Sequence, residues 1–275
     1  EKLSTIDRNK TKVLLFHAAS AGEFEQLKPI LKKIDRTKYF LIQTFTSPTI
    51  YKKESDSKLF DVCCYHPYDI FWKSYYFFSQ IKPSAYIITR HDIWPAHLFI
   101  SRKLKIPTFY INANIHLNSI WVQKYFYLIS KAVFNNLNFC LVPSKNIKIL
   151  FSKIMNPNKI YIMGDSRFDQ IIERKKSNQN KSILPDYLNK TFNIIFGSYD
   201  KYDEPLIIES LIAYYPNGTE SLKKLAHKII LVPHEINDTI HEVFNTLKNN
   251  NFDPIFFSNL DFNTEQSNNL IIVDR

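Results

Sequence analysis

The sequence has only four Gly and three Cys among its 275 residues. Its apolar runs are all well short of the roughly 18 residues that a membrane-spanning helix needs. It contains no GxGxxG, no Walker-type lysine loop, no GxSxG and no HExxH, which argues against P-loop nucleotide hydrolysis, a serine hydrolase and a zincin. Cys63 and Cys64 are adjacent and Cys140 stands alone in an apolar run, so neither a metal-ligand spacing nor a disulfide framework is present and a reducing compartment is expected. His91 and His97 lack further ligands at a zinc spacing. No metal and no cofactor are expected. Without a transmembrane run or a signal-peptide pattern, the chain as given is expected to be soluble. It starts with Glu1 rather than Met, and the expectation is that something upstream has been removed.

What is present is a full complement of core residues, 45% hydrophobic and 15% aromatic. At about 100 to 200 residues per domain, the length predicts two domains, each burying its own core. The 36 Lys plus Arg exceed the 26 Asp plus Glu by ten, a surplus that concerns partners rather than fold. It suits phosphorylated ligands, nucleic acid or an anionic membrane face, and an AT-rich genome would also produce it.

Short apolar runs alternate with helical spacing. Strands are predicted at 13–16, 39–46, 62–65, 85–89, 108–111, 139–142 and 160–163, with helices between them, including one over 69–81 and one over 118–134. Such alternation implies a parallel sheet with helices on both faces, so residues 1–172 form one α/β domain. Residues 173–190 begin with the polar run ERKKSNQNKS and read as a linker or an exposed helix end. The alternation then restarts, with strands at 192–196, 229–232, 254–257 and 270–273, and makes residues 191–275 a second sheet that looks unfinished.

Two strand-to-helix junctions concentrate polar residues, where open α/β sheets place their ligands. In the first, HAASAGEFEQ (17–26), Ser20 and Glu23 have the spacing of a capping box. Alternatively, Gly22 lets a substrate approach while Glu23 acts as general base. In the second, ITRHDIWPAH (88–97), Arg90, His91 and Asp92 beside Trp94 suit an acidic or sugar ligand. Equally, Asp92 caps the following helix and Trp94 belongs to the core. GDSRFDQ (164–170) reads as a glycine turn with a surface ion pair around Arg167.

In chain order, HAASAGEFEQLKPIL (17–31), TFTSPT (44–49), HPYD (66–69), DIWPAH (92–97), IPTFYINANI (106–115), GDSRFD (164–169), FGSYDKYDEP (196–205) and ILVPHEI (230–236) resemble the landmarks of bacterial 3-deoxy-D-manno-octulosonate (Kdo) transferases. The resemblance implies a GT-B architecture, two Rossmann-like domains facing a cleft, with acceptor in the first and CMP-sugar in the second. It implies transfer of Kdo from CMP-Kdo to a lipid A precursor, at the cytoplasmic face of a bacterial inner membrane, whose anionic surface is a further partner. By motif, Glu23 corresponds to the family's proposed base and Asp92 to the second acid of its Glu-x-Glu-x-Trp-Pro-Asn pattern. Ser20, Gly22, Thr46, Arg90, His91 and Trp94 fall on the acceptor side, and Ser198, Pro233, His234 and Glu235 on the donor side.

The chain departs from the family pattern at Arg90, at Asp92 in place of Glu, at Ala96, and at His234 in place of Arg. The family's later Gly-Glu-Leu turn and Gly-Gly-x-Asn-x-x-Glu segment lie beyond Arg275, so the chain is expected to be truncated and weak or inactive alone. The rival expectations are a GT-B transferase with another nucleotide sugar and a non-catalytic module binding phosphorylated lipid surfaces. Nucleic acid, suggested by charge alone, is not an expected partner.

Overall fold

The computed structural model describes residues 3–177, 185–237, 239–262 and 268–274. The chain divides into two compact units, Glu1–Ser177 and Asn178–Arg275. The segment 173–190 opens as the end of a helix, continues through residues outside the described set, and closes on a 3₁₀ turn at Asp186–Lys190.

In the first unit, strands β1 (Lys12–Ala18), β2 (Tyr39–Phe45) and β3 (Val62–Tyr65) alternate with helices α1 (Ala21–Leu31), α2 (Pro48–Glu54) and α3 (Phe71–Ile81). Then follow β4 (Ala85–Thr89), α4 (Pro95–Lys103), β5 (Thr108–Ile111), α5 (Tyr127–Phe134), β6 (Phe139–Val142), α6 (Lys145–Phe151), β7 (Ile160–Ile162) and α7 (Arg167–Ser177). The seven strands form one parallel sheet in the order β3-β2-β1-β4-β5-β6-β7. The order reverses between β1 and β4, and at such a switch point the loops diverge and leave a crevice at the strand carboxyl ends.

Side chains alternate across the pleat, and so the central strands serve two cores. Val13 and Leu15 of β1 face a core with Phe78, Leu98 and Phe151 from α3, α4 and α6. Phe16 and Ala18 face another with Phe24, Leu27 and Leu31 of α1 and Ile50 of α2. Phe24 and Leu27 are fully buried, and each side chain contributes about 1.5–3 kcal/mol by leaving water.

The helix predicted over 118–134 is not continuous. Two 3₁₀ turns, Ile120–Val122 and Lys124–Phe126, precede α5. Gln123 between them is extended, with φ −73° and ψ 140°, and a crowded run of aromatic and β-branched residues offers little helix propensity to resist that break.

The second unit contains β8 (Phe192–Tyr199), α8 (Glu204–Tyr214), α9 (Thr219–Leu225), β9 (His227–Pro233), α10 (Thr239–Asn249), β10 (Pro254–Phe256) and β11 (Leu270–Ile272). Its parallel sheet runs β10-β11-β9-β8. Leu222, Leu247 and Phe252 from its helices and their ends pack on Ile229, Leu231, Leu270 and Ile272 of the sheet.

Candidate active site

Glu23, Asp92 and Arg90 all lie at the carboxyl ends of β1 and β4, the two strands that flank the switch point. Ser20 is the N-cap of α1 and the capping box is formed. Glu23 Oε2 accepts from the backbone N–H of Ala19 (2.7 Å) and of Ser20 (3.2 Å), and the Glu23 N–H donates to Ser20 Oγ at 3.5 Å. Among the described residues no hydrogen bond engages Oε1. The residue is 8% exposed. Burial and then the neighbouring Asp92 charge raise its carboxyl above the ordinary value, against the backbone bonds and His17. An ideal Cβ on Gly22 would meet nothing within 4 Å, so the first turn of α1 is open beside this carboxylate.

Asp92 does not cap α4. That role falls to Asp69, whose Oδ1 accepts from the N–H groups of Ala96 (2.8 Å) and His97 (3.3 Å). Asp92 is instead bonded through Oδ2 to Nε2 of His17, a fully buried residue near the end of β1. Burial pushes the Asp92 carboxyl up, but the hydrogen bond and charge of His17 outweigh it and hold it below the usual carboxylate value. The Trp94 indole N–H, a buried donor that makes no hydrogen bond of ordinary geometry among the described residues, adds to that lowering.

Behind His17 is a chain of buried polar groups. The Thr44 hydroxyl donates to the Phe16 carbonyl (3.0 Å) and therefore accepts from Nδ1 of both His17 (2.9 Å) and His66 (3.0 Å). His66 Nε2 then accepts from the Tyr86 hydroxyl (3.1 Å) and from His97 Nδ1 (3.0 Å). The rings of His17 and His66 stack with centroids 3.8 Å apart. Burial, with the charges of His17 and His97, pushes His66 well below its ordinary value; burial and the charge of His17 bring His97 down to about 4. With His17 Nδ1 turned to Thr44, its Nε2 is the ring atom that faces Asp92.

The arrangement pushes two neighbouring carboxyl groups in opposite directions, Glu23 up and Asp92 down. Such a divergence separates the group that exchanges protons from the group that stays charged. Among the described residues no group of three or more His, Cys, Asp or Glu is arranged to hold a metal ion.

The remaining candidates are spread more widely. Thr46 is exposed just past β2, and Thr44, two residues earlier, is the buried participant. His91 is exposed and stacks on His116, with centroids 5.5 Å apart. Arg90, half-buried, lines a cavity of about 370 Å³ with Gln26, Asn112, Ser144, Asp165 and Arg167. Gly164 turns with φ +80° and Asp165 pairs with Arg167 at 2.7 Å, as the glycine turn and ion pair of that segment predict.

In the second unit Ser198 Oγ and His234 Nδ1 are 2.9 Å apart. Ser198 lies at a register shift between β8 and β9 and has φ +60°, a strained conformation for a residue with a side chain. Pro233 ends β9, and Glu235 follows it, exposed. Ser198 also lines an open pocket of about 410 Å³ with Gly197, Tyr199 and Asp203.

Sequence reasoning missed His17, Thr44, His66, His97, Asp69, Gln26 and Arg167 as members of the site. The signal was present. Polar residues occur near the carboxyl ends of β1 and β2 and just after β3, and His17 and Thr44 are register partners.

A family model described as 3-deoxy-D-manno-octulosonic-acid transferase (Kdo transferase) matches residues 1–170. The chain belongs to the Kdo transferase family. A Kdo transferase from Aquifex aeolicus is 30% identical over 108 residues, covering 38% of this chain and 29% of that protein. The match thus spans less than a third of the relative's length. Among solved structures, the UDP-GlcNAc 2-epimerase of Methanocaldococcus jannaschii superimposes with a TM-score of 0.61 at 13% identity, over 96% of this chain and 73% of the other. MurG of Acinetobacter baumannii gives 0.50 at 10% identity, over 96% and 68%. These likenesses establish the α/β fold as GT-B type. Within this Kdo transferase family member, Glu23 and Asp92 both fall inside the matched residues.

Proposed function

We propose that the protein transfers Kdo from CMP-Kdo to a hydroxyl of a lipid A precursor, with Glu23 as the general base. The observation that carries this reading is the division of labour within one carboxylate. Oε2 fixes the start of α1, and Oε1 is left for a ligand, on a group whose burial raises its proton affinity toward the working pH. The base takes the acceptor hydroxyl proton. The oxygen then bonds to the anomeric carbon of the sugar, and the bond from that carbon to the phosphate oxygen breaks, with CMP leaving on its electron pair. A phosphate leaving group is weakly basic, so alignment and positive potential matter more than a general acid.

In this reading residues 1–172 are the acceptor-binding domain, with Ser20, Gly22, Arg90, His91, Trp94 and exposed Thr46 along the acceptor side. Asp92, held by His17, orients the acceptor and keeps a fixed negative charge beside Glu23. Residues 191–275 belong to the CMP-sugar domain, with Ser198, Pro233, His234 and Glu235 on the donor side, and 173–190 connect the two.

A membrane-surface location, on the cytoplasmic face in this reading, is supported by exposed apolar side chains, some with lysines beside them. Phe71, Trp72, Tyr75 and Tyr76 on α3 are exposed, Trp72 by 73%, and so are Leu117, Tyr125 and Leu128 around α5. Lys73 and Lys103 sit over the rings of Tyr68 and Tyr75. Aromatic side chains rimmed by lysines suit the headgroup layer of an anionic bilayer. No helix among the described residues is long and apolar enough to cross a membrane.

The direct test is a product assay with a lipid A precursor and a panel of nucleotide sugars. Transfer from CMP-Kdo alone supports the proposal. Transfer from a different nucleotide sugar assigns another GT-B reaction, and vesicle binding with no binding of any nucleotide sugar favours a non-catalytic lipid-binding module.

A further inference from the structure

The cavity lined by Gln26, one helical turn along α1 from Glu23, has a charge arrangement whose ligand group the acceptor-side placement of Arg90 leaves unnamed. Its walls come from four strand ends and two helices: Arg90 after β4, Asn112 after β5, Ser144 after β6, Asp165 after β7, Arg167 at the start of α7, and Gln26 on α1. Gln26 is 1% exposed. With its amide oriented to satisfy both neighbours, the Gln26 side-chain oxygen accepts from Arg90 Nη1 at 2.9 Å and from Arg167 Nε at 3.0 Å. Two guanidinium groups thus converge on a single neutral oxygen.

Only Arg167 has a carboxylate partner there. Its Nη2 donates to Asp165 Oδ2 at 2.7 Å, and its single Nε–H is shared between that oxygen, at 2.9 Å, and Gln26. Arg90 makes no ion pair among the described residues, so the cavity keeps one positive charge uncompensated. A guanidinium presents several donors in a planar fork, and one bond to Gln26 leaves most of them for another acceptor. Like charges brought this close repel each other, and an anion between them removes the penalty.

The backbone holds this geometry before any ligand arrives. Arg90 has φ +64°, a conformation that residues with side chains rarely adopt. It is fixed by its N–H to the Ile111 carbonyl (3.0 Å) and by its own carbonyl, which accepts from the Tyr110 hydroxyl and the Asn114 N–H. Asn112 Nδ2 donates to Ser166 Oγ (2.8 Å), which donates in turn to the Gln26 carbonyl (2.6 Å). Strain held by so many bonds is characteristic of a binding position.

We propose that this cavity is an oxyanion-binding subsite, in which the guanidinium of Arg90, assisted by Arg167, grips a phosphate or carboxylate of the ligand. Gln26 is one helical turn from Glu23 and Arg90 is two residues before Asp92, so an anion bound here would anchor a substrate beside the base. The anion affinity stands on the cavity's own residues, and only the link to catalysis rests on the proposed transfer.

The test is a heteronuclear NMR titration of the whole chain at constant ionic strength, with inorganic phosphate in one arm, free Kdo as a phosphate-free sugar acid in a second, and chloride in a third. Saturable shifts at Asn112–Asn114, Ser144 and Gly164–Arg167 are expected with phosphate, with Kdo or with both, and the responding arm assigns the ligand group. Arg90→Gln should weaken that binding at least tenfold, and Arg167→Gln by less. Glu23→Gln should leave it unchanged, which separates failure of this subsite from failure of the transfer reading. Shifts that match those with chloride, do not saturate, or persist in a folded Arg90→Gln protein would overturn the proposal, and if that variant does not fold, Arg167→Gln carries the same comparison.

Discussion

A carboxylate that caps its own helix is a poor base when both oxygens are engaged, and Glu23 engages one. The capping-box reading and the catalytic reading of Ser20-x-x-Glu23 are therefore compatible, and sequence spacing alone had no means of choosing between them. For Asp92 the cap was the wrong expectation. Asp69, 27 residues before Ala96 in sequence, reaches the α4 N–H groups first and frees Asp92 for His17. That exchange was hidden in the sequence because it depends on how β1, β3 and β4 are ordered in the sheet. The buried histidines give a residue-scale prediction. His97 is held at about 4 against an ordinary 6.5, so the folded protein keeps it neutral while the unfolded chain protonates it. Its contribution is present above pH 6.5 and is lost as pH falls toward 4, a change of about 3 kcal/mol. Urea unfolding of wild type and His97→Gln at pH 7 and pH 4 should show the wild type losing about that much more stability. Equal losses in the two proteins would contradict a neutral buried His97.

At the scale of elements, the parallel strands were legible because short apolar runs bounded by polar junctions have few other interpretations. The helices were legible where an apolar stripe recurs, as with Phe24, Leu27 and Leu31 of α1. The region 118–134 was not, because its hydrophobic residues do not all face a core. Tyr125 and Leu128 are exposed, and an apolar pattern written for a surface carries no helical period. The cap from Asp69 makes α4 depend on a loop that precedes a different helix. Asp69→Ala should destabilise the protein by about 1–2 kcal/mol in urea unfolding, the cost of a lost helix cap. Asp69→Asn, which keeps an accepting oxygen, should cost only a few tenths of that. Because α4 begins at Trp94-Pro95, the Ala variant should also lower transfer activity more than its stability loss explains.

At the scale of the whole molecule, the net charge of +10 and the exposed aromatic residues are the features that the proposed function would use, since it places this Kdo transferase family member at an anionic surface. Charge was legible from composition, but the location of the aromatics was not, since Trp72 and buried Phe78 share one helix and only packing distinguishes them. Binding to phosphatidylglycerol vesicles should weaken with salt and should fall several-fold in a Trp72→Ser, Tyr76→Ser double variant whose unfolding midpoint is unchanged. Unaltered vesicle binding would remove α3 from the membrane-facing surface. The most direct test of the reaction itself is the turnover of Glu23→Gln with CMP-Kdo and a lipid A precursor. Gln keeps the oxygen that caps α1 but cannot take a proton, so kcat should fall by about 10²- to 10⁴-fold with the unfolding midpoint preserved. A folded Glu23→Gln protein turning over at the wild-type rate would contradict a catalytic role for Glu23 and leave it as a helix cap.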